Sequence, residues 1–300
     1  MTTTIGFIGV GNMGGPMVRR LLGKGYEVLA YDTDPAAAER VRAAGARIAA
    51  SPREVADQME IVFACLPSTA ISNAVAFGAD GVSGGKAVKI YVETSTIGRA
   101  PMAAIAQKLA ASGIALVDAP ISGAVSGAEA GTLISILSGD HAAVARVEPI
   151  IAEYTAKRLL AGPEAGMSQV YKLVNQGLIF STVVVTVEAV AAGVKAGADP
   201  DLLIEFLNGA LGRNFVTAQT FPNTILPGKF GRGNLSIVLK DTDLFAEMCR
   251  EVGAPALISG VARAFWSMVA GRFGKKAELP AAALLYEEWT GIEMRSREQA

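Results

Sequence analysis

The sequence predicts an α/β protein whose doubly wound, mostly parallel sheet is followed by an all-α domain. Its 300 residues correspond to about two domains of roughly 150 residues each. Short β-rich runs alternate with helical stretches up to residue 160, an order typical of a parallel sheet with crossover helices. After the turn-forming residues 161–163, only helical patterns follow. We therefore place the two domains at residues 1–163 and 164–300.

In the first domain, runs rich in β-branched and aromatic residues are the predicted strands. They lie at residues 5–10, 27–31, 61–66, 88–92, 114–117 and 133–137. The stretches between them are bounded by Gly, Pro, Ser or Asp and are predicted helices, at residues 13–22, 35–44, 53–58, 100–111 and 142–152. Parallel strands need such helical crossovers, so the alternation predicts parallel pairing.

The second domain begins with one long helix, predicted at about residues 166–196, because the stretch has no internal breaker except Gly177 and Gly193 and no strand alternation. Its longest apolar stretch, 177–187, is shorter than the ~20 residues that cross a bilayer, so we expect a buried helix and no membrane contact. Later helices are predicted to begin at Asp199, near Ser236 and near Pro255, and a Pro/Gly-rich connection is predicted at 221–233.

Composition and charge argue against several classes of function. There are 27 Lys and Arg against 28 Asp and Glu, so no positive field attracts nucleic acid or an anionic membrane. A single histidine, His141, and two cysteines, Cys65 and Cys249, cannot supply the four ligands of a zinc or iron–sulfur site. Both cysteines are expected to be buried thiols, and the first residues lack signal-peptide features. We expect a cytoplasmic protein without a metal or nucleic acid.

A glycine-rich turn, GVGNMG at residues 9–14, follows the first strand and opens the first helix. In this pattern Gly9 permits a tight turn, Gly11 lets the backbone approach a pyrophosphate, and Gly14 allows close packing of helix on strand. The N–H groups at the helix start face the anion. The turn predicts a Rossmann-like dinucleotide site with contacts from Gly9, Gly11, Asn12, Met13 and Gly14; a purely structural turn is the alternative.

Asp32 ends the second predicted strand, where an acid that binds the adenosine ribose is expected. Its carboxylate accepts hydrogen bonds from ribose hydroxyls but repels a 2′-phosphate. Asp34 adds a second negative charge where an NADP site would have arginine. NAD is therefore the predicted cofactor, with NADP disfavoured by Asp32. Asp34 has another interpretation, as the cap of the next helix, and this is compatible with either cofactor.

Carbonyl–alcohol chemistry on a nicotinamide also needs a proton donor or acceptor at the oxygen. His141 is predicted at the start of a crossover helix, far from the second domain, and is expected to be a surface residue. No Tyr is followed four residues later by Lys, so the tyrosine–lysine pair of short-chain dehydrogenases is absent. Lys172 lies on a largely apolar predicted helix, and Glu188 lies roughly 160° away around it. An amine desolvated beside a cofactor has its pKa lowered toward a useful range. Lys172 is either this acid/base or a lysine that snorkels from the edge of a core helix.

These residues resemble the β-hydroxyacid dehydrogenase family over nearly the whole chain. DAPISGA at residues 118–124, continuing to GTL at 131–133, resembles the family's substrate-binding segment. The resemblance implies that Ser122 and Gly123 hold the substrate carboxylate. Gly166 followed by KLVNQ at 172–176 resembles the catalytic helix motif. It implies that Lys172 is the general acid/base and that Asn175 orients the substrate.

The resemblance implies further cofactor contacts from Leu66, Pro67, Ser95, Thr96 and Lys240. Two features point to different substrates within the family. Gln176 after Asn175 is closer to tartronate semialdehyde reductases, whereas Arg213 belongs to a Gly-Arg-aromatic segment similar to that of 3-hydroxyisobutyrate dehydrogenases. Arg213 either contacts a second polar or anionic group of the substrate or forms an ion pair at the surface.

The expected function is therefore an NAD-dependent oxidoreductase that interconverts a small β-hydroxy acid and its semialdehyde. A homodimer or homotetramer built through the helical domain is expected, since a long apolar helix needs cover on several sides. One alternative is an imine reductase, against which Lys172 argues because related imine reductases usually lack this lysine. A second is a non-catalytic NAD-binding module, which would need a replaced lysine or an added reader domain.

Overall fold

The structure is a computed structural model that describes residues 3–231 and 233–296. The chain divides into two compact units, Met1–Lys172 and Leu173–Ala300, called unit 1 and unit 2 below. The division falls inside one continuous helix, α8 (Met167–Lys195), whereas the domain boundary predicted from the sequence lies before this helix.

Unit 1 is built on a sheet of nine strands in the order β3-β2-β1-β4-β5-β6-β8-β7, with β9 beside β8. The strands β1 to β6 pair in parallel, and β8 runs antiparallel to both β6 and β7. This confirms the predicted α/β class with a mostly parallel, doubly wound sheet. The strands are β1 (Thr4–Ile8), β2 (Glu27–Tyr31), β3 (Arg47–Ile48), β4 (Ile61–Ala64), β5 (Ile90–Glu93), β6 (Ala115–Asp118), β7 (Ile121–Ser122), β8 (Leu133–Gly139) and β9 (Thr155–Gly162).

Helices cover both faces of this sheet and bury two apolar layers. Successive strand residues point to opposite layers, so Phe7 packs in one and Ile8 in the other. Side chains of Asp34, Ser51, Ser68 and Asp140 cap helix starts. The helices are α1 (Gly14–Gly23), α2 (Pro35–Ala43), α3 (Pro52–Gln58), α4 (Thr69–Phe77), α5 (Arg99–Ala111), α6 (Ala124–Ala130) and α7 (His141–Ala152).

Several elements of unit 1 were not predicted. The strands β3 and β7 have only two residues each, too few for a period-two pattern. The strand β9 has two charged residues near its start, exposed Lys157 and half-buried Arg158, and therefore lacks the apolar run of a buried strand. The helices α4 and α6 lie in stretches for which no helix or strand was predicted. The antiparallel setting of β8 was also missed, because strand direction depends on pairing and not on local pattern.

Unit 2 contains only helices and connections in its described residues. After α8 come α9 (Pro200–Gly209), α10 (Leu235–Glu251), α11 (Leu257–Phe273) and α12 (Ala281–Thr290), around a core that includes fully buried Trp266. The prediction that residues 221–233 form a connection was wrong at its start, because a π-helix covers Val216–Ile225. In this wider helix the Leu226 N–H donates to the Phe221 carbonyl, and Pro222 is accommodated in its interior.

The helix α8 is long and apolar enough to cross a membrane by length and composition, and it alone meets that test in the described part of the chain. The apolar stretch at residues 177–187, which was expected to be too short to cross a bilayer, is part of this longer helix of 29 residues. Half of its apolar window is buried inside the protein, as in a core helix. Length and composition are therefore weak support for a membrane span.

Candidate active site

The parallel strands β1, β2, β4, β5 and β6 end level with one another at one edge of the sheet. Ile8 pairs with both Tyr31 and Ala64, Ala64 pairs with Glu93, and Glu93 pairs with Asp118. Ligands of open α/β sheets bind beyond this carboxyl edge. The structure therefore brings together the candidate residues that follow these strands, namely Gly9 to Gly14, Asp32, Leu66, Pro67, Ser95, Thr96 and Ser122.

The glycine-rich turn between β1 and α1 leaves room for a phosphate. Gly9 has φ +85°, and a Cβ on Gly14 would collide with the Gly9 carbonyl oxygen. A Cβ on Gly11 would meet no atom within 4 Å. The helix α1 has no side-chain cap from Met13 and no acidic residue in its first turn, and Asn12 is exposed beside it. Open space at an uncapped helix start fits a dinucleotide pyrophosphate.

Asp32 is fixed beneath this turn by backbone donors. Its Oδ2 accepts from the Val10 N–H at 2.7 Å, and its Oδ1 accepts from the Asp34 N–H at 2.8 Å. Each carboxylate oxygen keeps a further lone pair for a ribose hydroxyl, and the side chain is only half-buried. Asp34 caps α2 through the Ala36 N–H at 3.0 Å, while its negative charge stays exposed at the same edge.

The loops after β4 and β5 are tied together by Ser95. Its hydroxyl accepts from the Leu66 N–H at 2.6 Å and donates to Glu93 Oε1. Glu93 is fully buried, and this burial raises the pKa of its carboxyl. Thr96 is half-buried and Pro67 is exposed. Glu93 was not singled out in the sequence, although a glutamate that ends an apolar strand is a usable signal.

The predicted substrate segment has an unusual backbone. Ser122 lies in β7, half-buried, and Gly123 follows at φ +134°. Ala124 has φ +58°, the one positive φ outside glycine in the described residues. Such a conformation costs about 1–3 kcal/mol in a non-glycine residue and is found mainly at functional segments.

Asp118, at the end of β6, is the centre of a buried polar network. Its Oδ1 accepts from Gln169 Nε2 at 2.7 Å, and its Oδ2 accepts from the Gly166 N–H at 3.0 Å and Ser138 Oγ at 3.3 Å. These donors stabilise the carboxylate, but burial outweighs them and raises the pKa of Asp118 from 3.8 to about 7. Ser138 Oγ also accepts from the Ser168 N–H at 3.2 Å.

Lys172 follows this network on α8 and is half-buried. Residues three and four positions apart on a helix share a face, so Ser168 and Gln169 lie on the face of Lys172. Neither residue was predicted from the sequence to belong to the site. Their spacing from Lys172 was a usable signal, because polar residues at these positions extend a polar stripe along an otherwise apolar helix.

In unit 2, the side chains that follow Lys172 form a second chain of contacts. Asn175 Nδ2 donates to Gln176 Oε1 at 3.0 Å, and Gln176 Nε2 donates to Asp241 Oδ2 at 2.6 Å. Asp241 is buried and pairs with Lys240 Nζ at 2.6 Å. Asn175 is exposed and Gln176 is buried, although they lie three and four residues after Lys172 on the same helix.

Gly177 explains how α8 and α10 come close enough for this contact. A Cβ on Gly177 would stand 2.9 Å from the ring of Phe245 on α10. Arg213 lies in the exposed connection between α9 and the π-helix, and it forms no ion pair within the described residues of unit 2. That geometry gives no support to its interpretation as a surface ion pair.

Of the single histidine and the two cysteines, Cys65 lies beside the glycine-rich turn, where a Cβ on Gly9 would collide with its carbonyl oxygen. His141 is the exposed first residue of α7. Cys65 is a free, partly buried thiol whose pKa burial raises to about 11, and Cys249 is a free, buried thiol. Within residues 3–231 and 233–296, no three His, Cys, Asp or Glu side chains are grouped as metal ligands.

Two family models match almost the whole chain. Residues 4–162 match the NAD-binding domain of 6-phosphogluconate dehydrogenase. Residues 166–286 match a domain described as the NAD-binding domain of NADP-dependent 3-hydroxyisobutyrate dehydrogenase. The chain therefore binds NAD or NADP, in agreement with the turn at Gly9 to Gly14.

Known proteins with similar sequences are named as dehydrogenases of hydroxy acids. A 2-(hydroxymethyl)glutarate dehydrogenase of Eubacterium barkeri is 30% identical over 96% of both chains. A 3-hydroxyisobutyrate dehydrogenase of Pseudomonas aeruginosa is 33% identical over 89% of this chain and 92% of that one. The solved structure of a Mycobacterium tuberculosis 3-hydroxyisobutyrate dehydrogenase with L-serine superposes with a TM-score of 0.84 at 25% identity, over 95% of this chain and 99% of that one.

Proposed function

The chain belongs to the β-hydroxyacid dehydrogenase family, and from this membership we propose that it interconverts a small β-hydroxy acid and its semialdehyde with NAD. The observation that carries the proposal is Lys172, which directly follows the buried Asp118–Gln169 network on α8. A lysine so placed is a group that can exchange a proton with a substrate oxygen.

The substrate class follows from the segment around Ser122. A hydroxyl at Ser122 and a backbone N–H at Gly123 supply donors for a carboxylate without a bulky cation. The names of the relatives support this class, because hydroxyisobutyrate and (hydroxymethyl)glutarate are both hydroxy acids. L-serine in the Mycobacterium tuberculosis structure is likewise a β-hydroxy acid.

The reaction needs one proton and one hydride at the same carbon–oxygen group. Bound NAD supplies the hydride acceptor, or NADH the donor. In oxidation, Lys172 Nζ takes the proton of the substrate hydroxyl. In reduction, its ammonium returns a proton to the developing alkoxide and stabilises the negative charge there. Asn175, whose amide is exposed, is proposed to orient the substrate, and Lys240 is proposed to contact the cofactor, as the family resemblance implies.

Preference for NAD over NADP rests on Asp32. Its carboxylate and the exposed Asp34 place two negative charges where a 2′-phosphate would lie. We expect kcat/KM with NAD to exceed that with NADP by at least about 10-fold, or 1.4 kcal/mol. Asp32→Ala should reduce this ratio by weakening NAD more than NADP, and equal use of both cofactors by the unaltered enzyme would overturn the preference.

The central experiment is an assay of NADH and NADPH oxidation against a panel of semialdehydes, with the reverse reaction on hydroxy acids. Lys172→Ala should lower kcat by about 10³-fold, within the range for loss of a general acid/base, and should retain NADH binding by fluorescence. Lys195→Ala, at the other end of the same helix, is the matched control and should keep its kcat. Near-normal kcat in Lys172→Ala would falsify the assignment.

The panel also tests the remaining alternatives. Tight NADH binding without turnover of any panel member would favour a non-catalytic module, and turnover of cyclic imines would favour an imine reductase. For Arg213, we propose contact with a second anionic group of the substrate, supported by its exposure and the lack of an ion pair in unit 2. Arg213→Ala should then raise KM for dicarboxylic substrates more than for monocarboxylic ones; equal KM changes would contradict it.

We also propose that unit 2 assembles with further copies of the chain, as a homodimer or homotetramer. Large apolar side chains are exposed on it, among them Leu178 at 69%, Leu202 at 65% and Phe206 at 68%. Exposed apolar surface of this kind is typical of interaction sites. Light scattering should give two or four times the chain mass of 31.0 kDa, and a monomer at micromolar concentration would overturn the proposal.

A further inference from the structure

Gln169, at the start of α8, uses both ends of its amide in four hydrogen bonds. Its Oε1 accepts from the Ile97 N–H at 2.9 Å and the Gly98 N–H at 3.2 Å. Its Nε2 donates to the Ser95 carbonyl at 3.1 Å and to Asp118 Oδ1 at 2.7 Å. The residue is fully buried, so water cannot replace any of these partners.

This set of partners specifies the chemical type of the side chain. Two partners are donors and two are acceptors, and an amide of this length satisfies all four at once. A glutamate would keep the bonds from Ile97 and Gly98 but would oppose the carboxylate of Asp118. A hydrophobic residue would leave buried donors and acceptors unpaired, at about 1–3 kcal/mol for each group.

The network fixes the first turn of α8 to three other parts of unit 1. Gln169 connects it to the segment after β5 and to the end of β6. Ser168 connects it to β8, where its hydroxyl lies 2.9 Å from Ser138 Oγ. Lys172 lies one turn later on the same face as Gln169. The direction of the Lys172 side chain therefore depends on the orientation of this turn.

We propose that Gln169 is a positioning residue that sets Lys172 relative to the segment from Ser95 to Gly98. The inference rests on the proposed function, in which Lys172 exchanges the proton, and on the family resemblance, which implies that Thr96 in that segment approaches the nicotinamide. By holding both, Gln169 aligns the proton-transferring amine with the site of hydride transfer. Displacements of about 1 Å in such alignments lower rates by up to 10²-fold.

Two single variants and one double variant test the role. Gln169→Met removes all four hydrogen bonds with a side chain of similar length. It should lower kcat, normalised to the concentration of NADH-binding sites, by about 10–100-fold. Gln169→Glu retains the acceptor for Ile97 and Gly98, and serves if the methionine variant does not fold. In the double variant Gln169→Glu/Asp118→Asn, the amide at position 118 donates to the carboxylate at position 169, so donor and acceptor are exchanged. The double variant should recover at least about 10-fold of the kcat lost in Gln169→Glu, as expected of groups that act as a unit.

The readouts separate positioning from simple structural support. Substrate deuterated at the reacting carbon should give a larger isotope effect on kcat in Gln169→Met, because misalignment slows the chemical step. Independently of turnover, mass spectrometry should detect an altered rate of amine labelling at Lys172 in the NAD complex, with Lys24 as the internal reference. Thr155→Val is the control, since it removes the buried hydrogen bond from the Thr155 hydroxyl to the Ile151 carbonyl and a partly buried one from Arg158, neither of which involves the partners of Gln169, and should change neither readout.

Unchanged kcat, isotope effect and labelling rate in a folded Gln169→Met variant would overturn the inference. If Lys172→Ala is at the same time inactive, the proposed function stands and only the role of Gln169 is wrong. If the unaltered protein turns over no member of the panel, the proposed function fails, and the labelling rate of Lys172 alone decides whether Gln169 positions it. A loss of stability equal to that of Thr155→Val, with normal kinetics, would assign Gln169 a structural role only.

Discussion

The helix α8 carries two glutamine–aspartate pairs, one in each compact unit, and they differ in the charge of their surroundings. Gln169 donates to Asp118 at 2.7 Å in unit 1, and two helical turns later Gln176 donates to Asp241 at 2.6 Å in unit 2. The other side chain donating to Asp118 is the neutral hydroxyl of Ser138, whereas Asp241 pairs with the ammonium of Lys240. Lys172 lies between the two pairs along the chain.

This difference shows two ways of using a buried carboxylate. At Asp118, directional neutral donors fix geometry, while burial makes ionisation costly. At Asp241, a counter-charge accompanies the carboxylate, and its lysine keeps 21% of its side chain exposed. The first pair therefore suits a rigid anchor, and the second suits a cation held near the surface for a ligand.

The largest expected effect comes from breaking the first pair. Asp118→Ala leaves Gln169 Nε2, the Gly166 N–H and the Ser138 hydroxyl buried without this acceptor, and should lower the free energy of unfolding by about 3 kcal/mol. Asp241→Ala should cost less, about 1–2 kcal/mol, because Lys240 reaches water. Urea denaturation of both variants measures the difference, and a larger loss for Asp241→Ala would contradict the comparison.

The second prediction concerns pH. The pKa of Asp118 is raised to about 7 in the folded protein, so between pH 4 and 7 the folded state binds more protons than the unfolded state. Its contribution to stability is complete below about pH 4 and is lost as the pH rises to about 7, at no more than ~1.4 kcal/mol per pH unit. Buried Glu93, whose pKa is also raised, acts in the same direction.

Asp118→Asn removes this contribution and keeps an acceptor, so its urea midpoint should depend less steeply on pH between 5 and 7.5 than that of the unaltered protein. The residual slope belongs to Glu93 and other groups. Equal slopes in the two proteins would mean that Asp118 does not titrate in this range.

The smallest expected effect comes from the second pair. Gln176→Leu keeps the size of the side chain but removes its bonds to Asn175 and Asp241. Because Asn175 is proposed to orient the substrate, KM for the hydroxy acid should rise by about 3–10-fold with little change in kcat. Steady-state kinetics test this against Gln169→Met, which should change mainly kcat. A loss of kcat in Gln176→Leu as large as that in Gln169→Met would erase the proposed distinction between the pairs.

Most of the fold was predictable because its signals are local. The glycine turn at residues 9–14 and the strand that ends before Asp32 follow from turn chemistry and apolar runs, which need no knowledge of distant residues. The two-residue strands β3 and β7 were not predictable in this way, because they exist only through pairing with neighbours. The π-helix at Val216–Ile225 was missed because Pro222 indicates a break in an ordinary helix.

The sequence by itself determined the α/β class, the dinucleotide turn and Lys172 as the candidate acid/base, since composition and spacing leave few other residues for the chemistry. Only the tertiary structure decided how that lysine is supported. Asp118 and Gln169 are 51 residues apart, and Gln176 and Asp241 are 65 apart. Which buried polar groups meet over such separations is set by the packing of whole strands and helices, because each must find a partner where water is excluded.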